Sequence, residues 1–325
     1  MKDKILIQSE AADKSTDDVL SWIKYLNPAK KVEQMFDNYM INSIKIELSN
    51  KHGVGLTING KKLNKDTAFW YRRGELKFEQ FEFMSMQNEV EIKIAQEYLG
   101  PILSFINGKI YKKGINKFTD NYLGKLEVLN ICTDLQLSIP DTLITDNIEE
   151  VRQFLNKYKK IICKPVKNPF INSNYGDKSI GFYGPSELIT QENLFCMPDS
   201  FIPCMFQEYI EKKTEIRTFF LFDDFFSMAI FSQNNPKTVV DYRNYDRENP
   251  NRNVPFVLPK IIEKKLNDLM SLIRLNCGSI DIIVTPENKF VFLEVNPIGQ
   301  FQWLSRNCNY KIEKKIAEHL LITTN

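Results

Sequence analysis

Two acids and an amide, Asp281, Glu294 and Asn296, stand in a stretch otherwise suited to burial, SIDIIVTPENKFVFLEVNP at 279–297. Val, Ile and Phe dominate 279–285 and 289–295, and Pro286, Glu287 and Asn288 carry turn chemistry. The segment is therefore expected to form an antiparallel hairpin. With Glu287 and Asn288 as a two-residue loop, Val284 pairs with Val291, and the same register sets Asp281 opposite Glu294. A period of two then puts Asn296 on the face of Glu294. Like charges directly opposite destabilise a strand pair. A hard divalent cation between them removes that cost, and Mg2+, which keeps several waters and is completed by phosphates, suits so sparse a set better than Ca2+. The other reading is a half-exposed hairpin whose polar face is solvated.

Further groups could do chemistry elsewhere. Arg72 and Arg73 close the apolar run AFWYRR. Arginine suits bidentate contacts to carboxylate or phosphate, and adjacent strand residues face opposite ways, so one of the two is a candidate for a cleft; an ordinary solvated strand end is the alternative. The stretch KNPFINSNYGDKSIGFYGP, with Gly176, Gly181 and Gly184, matches neither GxxxxGK[ST] nor GxGxxG, and composition favours a surface loop. Glu208 and Glu215 flank a polar turn between FQEYI and EIRTFFLF. Arg243, Arg247 and Arg252 form the best local basic cluster, with Asp241, Asp246 and Glu248 close enough to neutralise it.

The elements that must position these groups read as an α/β chain. A strand over 5–8 leads to a helix capped by Ser15 or Thr16, with Val19, Trp22, Ile23 and Leu26 on one face. Alternation at Ile44, Ile46 and Leu48, then at Val54, Leu56 and Ile58, with Asn59-Gly60 following, predicts strands joined by tight turns. A helix is expected over about 79–98, burying Val90, Ile94, Ala95 and Tyr98 and ending at Leu99-Gly100-Pro101. Periodicity fades around 110–120, where a first domain ends. Lys125 opens a helix, LEVLNICTDLQL; a second over 148–158 leads into a buried strand ending at Lys164. Residues 239–259 read as an irregular loop, and a helix over 261–275 feeds the hairpin.

Composition narrows the function classes. The 325 residues are 43% hydrophobic, enough for two or three packed subdomains. Basic and acidic residues nearly cancel, 43 against 41, so no global field points to nucleic acid or an anionic membrane. Six scattered cysteines without a CxxC pair suggest reduced thiols and a cytoplasmic protein. His52 and His319 are the only histidines, which leaves little for a zinc site or a Ser-His-Asp triad. No run approaches membrane-spanning length.

Taken in order, two separated lysines, an acid-flanked hinge, and Asp, Glu and Asn on a late hairpin resemble the ATP-grasp ligase superfamily over about 119–325. Within it, LGKLEVLNICTDLQLSIPDTLIT, FQEYIEKKTEIR, VDYRNYD with VPFVLP, and FLEVNPIGQFQWL look like the graspetide maturases, microviridin-type peptide macrocyclases. The opening ILIQSE with STDDVLSWIKYL and FWYRRG looks like the grasp-with-spasm branch. The resemblance implies an α/β (α+β) ATP-grasp fold with an N-terminal pre-ATP-grasp domain over 1–118, a central subdomain over 119–206 and a C-terminal one over 207–325.

It further implies that Lys125 and Lys164 contact ATP phosphates, that Gln207, Glu208, Tyr209 and Ile210 form the adenine hinge, and that Glu215 accepts from ribose. Asp281, Glu294 and Asn296 would hold Mg2+. Arg217 would act on the transferring phosphate with Arg243, and Arg72, Arg73 and Arg243 would grip an acidic core. Two departures stand out: the glycine loop is dilute, and Ser279 occupies a position where some relatives carry arginine, whose part Arg217 or Arg243 would take. The implied partner is a ribosomal precursor peptide with a leader and an acidic core, and a homodimer is in keeping with such relatives. A ligase for a small molecule or a protein terminus, of the glutathione synthetase or glutamate-adding kind, would carry the same metal site. A non-catalytic binding module is a third reading, which the complete set of lysines, acids and amide disfavours.

Overall fold

A computed structural model describes residues 4–36, 39–63, 67–79, 89–110, 114–166, 170–175, 178–183, 186–198 and 200–323. Contacts divide the chain into two units. One comprises Met1–Tyr122, Leu275–Gly278 and Pro297–Asn325; the other comprises Leu123–Arg274 and Ser279–Asn296.

In the first unit, β1 (Lys4–Ser9), β2 (Lys31–Phe36), β7 (Ala68–Tyr71) and β9 (Gly114–Ile115) form a parallel sheet in the order β2-β1-β7-β9. The unbroken apolar runs of β1 and β7 suit strands covered on both faces, and Ile5, Ile7, Ala68 and Phe69 are fully buried. Helix α1 (Lys14–Leu26) connects β1 to β2. Its cap is Asp13, which accepts from Thr16 N at 3.0 Å, rather than Ser15 or Thr16. Both of those turn inward, and Thr16 meets the Ser9 hydroxyl at 2.6 Å.

β3 (Tyr39–Ile41) pairs with β8 (Leu76–Phe78), while β4 (Ile44–Ser49), β5 (Gly53–Ile58) and β6 (Lys61–Leu63) make an antiparallel meander. Asn59 and Gly60, at φ 51 and 72, form the turn expected of that pair. Helix α2 runs over Glu89–Ile110, and residues 80–88 lie outside the described set. It does not stop at Leu99-Gly100-Pro101. Carrying Pro101 inside a helix costs about 3 kcal/mol. Fully burying Ile106 returns about 1.5–3 kcal/mol, with Leu99, Ile102 and Leu103 adding partial burial along the same stripe on the core of Leu6, Phe69, Tyr71 and Phe78. Ile94 and Tyr98, expected to be buried, are 54% and 78% exposed.

Among the described residues the second unit holds a four-stranded, a two-stranded and a five-stranded sheet. β10 (Thr142–Asn147), β11 (Ile161–Lys164), β14 (Glu187–Ile189) and β15 (Ser200–Glu208) form an antiparallel sheet in the order β10-β15-β11-β14. The expected glycine loop is instead a hairpin, β12 (Phe170–Tyr175) with β13 (Lys178–Tyr183), in which Asn172 pairs with Gly181; Gly176 and Gly184 lie outside the described residues. The chain then adds β16 (Thr214–Leu221), β17 (Asp224–Phe231), β18 (Arg252–Phe256), β19 (Cys277–Val284) and β20 (Phe290–Asn296), in the order β18-β17-β16-β19-β20. β18 lies within the stretch expected to be irregular. It is an edge strand, where Pro255 leaves no ladder hydrogen bond unmade.

Helix α3 (Lys125–Asp134) packs on β20, and α4 (Ile148–Tyr158) buries Val151 and Leu155 against Phe206 and Ile161. Helix α5 (Lys260–Leu272) packs on α3. Helices α6 (Gln302–Cys308) and α7 (Ile312–Ile322) belong to the first unit, where α7 packs on α1. Among the described residues no helix is long and apolar enough to cross a membrane.

Candidate active site

The β19–β20 hairpin brings Asp281 opposite Glu294, but not through the two-residue loop expected. The loop has three residues, Pro286, Glu287 and Asn288, with Asn288 left-handed at φ 62 and its N–H bonded to Thr285 O at 2.9 Å. Near the turn Val284 pairs with Phe290 and Ile282 with Phe292, one residue out of the anticipated register. Leu293 is then an unpaired extra residue, and the bulge restores Asp281 to Glu294. Without it a one-residue slip would send Glu294 to the opposite face. Asn296 follows, paired with Ser279.

Cations gather on both acids. Arg217 Nη1 donates to Asp281 Oδ1 at 2.8 Å and Oδ2 at 2.7 Å, and Tyr242 OH donates to Oδ1 at 3.2 Å. Lys125 Nζ lies 3.2 Å from Glu294 Oε2 and Arg243 Nη1 lies 3.4 Å from Oε1. Burial pushes the Glu294 carboxyl up, but Lys125, Arg243 and Lys164 outweigh it and hold the group below the usual range. Burial likewise opposes the Arg217 charge, and the Asp281 carboxylate more than restores it. Arg243 gives Nε and Nη2 to Asp241, the latter at 2.7 Å, which raises its pKa.

The β10-β15-β11-β14 sheet supplies further lining. Lys164, at the end of β11, donates to Gln207 Oε1 at 3.1 Å, and Gln207 Nε2 donates to Thr142 at 3.0 Å. Burial pulls the Lys164 pKa down to about 8, with Glu294 opposing and Lys125 and Arg243 assisting. The Glu208 carboxylate accepts from Asp141 N at 3.0 Å. At the start of β16, Glu215 is buried. Burial raises its pKa against the pull of Lys212, which it meets at 3.0 Å, and of Ser232 at 2.7 Å.

Lys125, Lys164, Gln207, Glu208, Tyr209, Ile210, Glu215, Arg243, Asp281 and Glu294 thus line one cavity, open to solvent. Arg217 touches it through Asp281. Asn296 is two residues past Glu294 on β20. Arg72 and Arg73 belong to the other unit and do not line this cavity. Arg72 is 3% exposed, gives Nη1 to Ile298 O at 2.6 Å and lies 3.4 Å from Asp13; Arg73 is partly exposed and pairs with Asp13 at 3.3 Å.

Asp241, Tyr242 and Lys212 were not singled out by their types. A lysine three residues before Glu215 and an Asp-x-Arg triplet are the signals that could have marked them. Among the described residues no group of three His, Cys, Asp or Glu side chains is placed to hold a metal. The candidate set, two carboxylates and an amide, is smaller, and its all-oxygen chemistry fits a hard cation completed by phosphates and water.

No family model matches the chain, and no curated protein matches it in sequence. Solved structures do. The macrocyclase MdnC of Microcystis aeruginosa MRC, bound with precursor peptide MdnA, is 28% identical at a TM-score of 0.73, covering 99% of this chain and 100% of that one. A Chryseobacterium gregarium RiPP-associated ATP-grasp ligase, in complex with ADP and a leader and core peptide, is 24% identical at 0.76, covering 98% and 96%. The ATP-grasp ligase PsnB, complexed with minimal precursor, Mg and ADP, is 15% identical at 0.71, covering 98% of both chains.

Proposed function

We infer that this chain, an ATP-grasp ligase of the graspetide maturase kind, is an ATP-dependent macrocyclase of a ribosomal precursor peptide. It would activate Asp or Glu side-chain carboxylates of the peptide and join them to Thr or Ser hydroxyls or Lys amines. The observation that carries this reading is the convergence of two lysines, a buried glutamate, Arg243 and the Asp281–Glu294 pair on one cavity, in a chain that matches a macrocyclase from end to end.

The four-stranded and five-stranded sheets of the second unit are read as parts of the central and C-terminal ATP-grasp subdomains, divided near residue 206. In the proposed chemistry the peptide carboxylate attacks the γ-phosphorus of ATP, giving an acyl phosphate and ADP. The hydroxyl or amine then attacks the acyl carbon, and phosphate leaves. The peptide has lost one water.

Asp281, Glu294 and Asn296 are the residues proposed to hold Mg2+, which would supply positive charge against that developing in phosphoryl transfer. Lys125 and Lys164 supply compact positive charge to the phosphates, Gln207 to Ile210 meet adenine, and Glu215 meets ribose. Arg217 and Arg243, both held charged by neighbouring carboxylates, are proposed to stabilise the transferring group. Arg73 stays a candidate for acidic residues of the core, whereas Arg72 is committed to Asp13 and Ile298. A homodimer in the cytoplasm completes the reading. ATP turnover is expected to rise with a precursor peptide encoded nearby; equal stimulation by free amino acids would sink the macrocyclase assignment.

A further inference from the structure

The turn after the hinge carries a buried ammonium that the reading above leaves without a part. Lys212 is 8% exposed. Its Nζ donates to Glu215 Oε1 at 3.0 Å and to the Val240 carbonyl at 3.0 Å. The same Glu215 oxygen accepts from Ser232 Oγ at 2.7 Å, and that hydroxyl accepts in turn from Gln233 Nε2 at 2.8 Å. Both donors meet on Oε1. Among the described residues Oε2 receives no hydrogen bond, and Glu215 lines the cavity.

Two bonds on one oxygen fix the plane of a carboxylate and leave the other oxygen aimed. They also oppose, without overcoming, the rise that burial gives its pKa. The Val240 bond extends the same anchor to the loop that begins at Asp241, whose Tyr242 donates to Asp281 and whose Arg243 reaches Glu294. Lys212 therefore joins the start of β16 to the loop beside the acid pair.

We propose that Lys212 is a positioning residue for nucleotide recognition: it holds the Glu215 carboxylate so that the second oxygen receives the ribose hydroxyls, and so sets a preference for ribonucleotide over 2′-deoxyribonucleotide. This rests on the assignment of ribose to Glu215. The test is equilibrium binding of ADP and 2′-deoxy-ADP by calorimetry, which needs no peptide and no turnover. The wild-type chain is expected to favour ADP by about tenfold or more, the worth of one charge-assisted hydrogen bond. Lys212→Met is expected to weaken ADP to the level of 2′-deoxy-ADP, erasing the preference.

A residue that only supports the fold would weaken both nucleotides alike, so a preference retained in Lys212→Met overturns the inference while leaving the ribose assignment standing. A wild-type chain indifferent to the 2′-hydroxyl overturns both. Should Lys212→Met fail to fold, Ser232→Ala removes the other bond to the same oxygen. It is expected to shrink the preference severalfold, and an unchanged preference there overturns the inference equally.

Discussion

Lys164, proposed to contact phosphate, is the sharpest handle on the cavity. Its pKa is drawn from 10.5 to about 8, first by burial and then by Lys125 and Arg243, against the pull of Glu294 and Asp241. A bound polyphosphate adds negative charge beside it and should return the proton. In the free protein about one Lys164 in ten is neutral at pH 7, about half at pH 8 and about nine in ten at pH 9. Nucleotide binding is therefore expected to take up about 0.1, 0.5 and 0.9 proton at those pH values, and affinity should fall about tenfold per pH unit between about 8 and 10.5.

Titration calorimetry with Mg2+ and AMPPNP at pH 8 and 9, in buffers of differing ionisation enthalpy, reads the uptake as a slope. Lys164→Arg keeps the charge and should abolish it. A flat buffer dependence in the wild-type chain, or an equal slope in the variant, refutes the argument. The same shift bears on stability. Between pH 8 and 10.5 the unfolded chain holds the proton that the folded chain has lost, so stability rises with pH there. The cost, about 3 kcal/mol, is fully present below about pH 8.

Two further predictions concern the sheet that carries the acids. Arg217→Met leaves buried Asp281 with only Tyr242 among the described residues and is expected to cost about 3–5 kcal/mol in denaturant unfolding; a loss under about 1 kcal/mol would contradict the buried pairing. Asn288→Val puts a β-branched residue at φ 62 and removes the acceptor of Lys213 Nζ at 2.7 Å. It should cost about 1–2 kcal/mol by the same assay, and Asn288→Gly clearly less.

Much of the site was legible because strand periodicity is local. A period of two predicted the Asp281–Glu294 pairing, although the turn was misjudged. The left-handed Asn288 shifts the register one way and the Leu293 bulge shifts it back, two departures that cancel where the acids lie. Local rules failed where tertiary burial overrode them. Pro101 reads as a helix stop, yet the stripe through Ile106 carries α2 past it. Ser15 and Thr16 read as caps, yet their burial leaves the task to Asp13. Lys212 shows only its bond to Glu215, three residues on, in the spacing of the chain; its bond to Val240 and that of Tyr242 to Asp281 arise when β16, the 240–243 loop and β19 come together.

The central claim is that the chain closes rings in a peptide at the expense of ATP. Mass spectrometry of the neighbouring precursor, incubated with enzyme, ATP and Mg2+, measures it directly. The account predicts a product lighter by one water per crosslink, absent without ATP. It also predicts loss of more than about 100-fold in rate in a folded Glu294→Gln variant, beyond the 10–100-fold range of groups that only orient metal ligands. An unchanged peptide mass alongside rapid ATP turnover on free amino acids, or near-normal activity in Glu294→Gln, would contradict it.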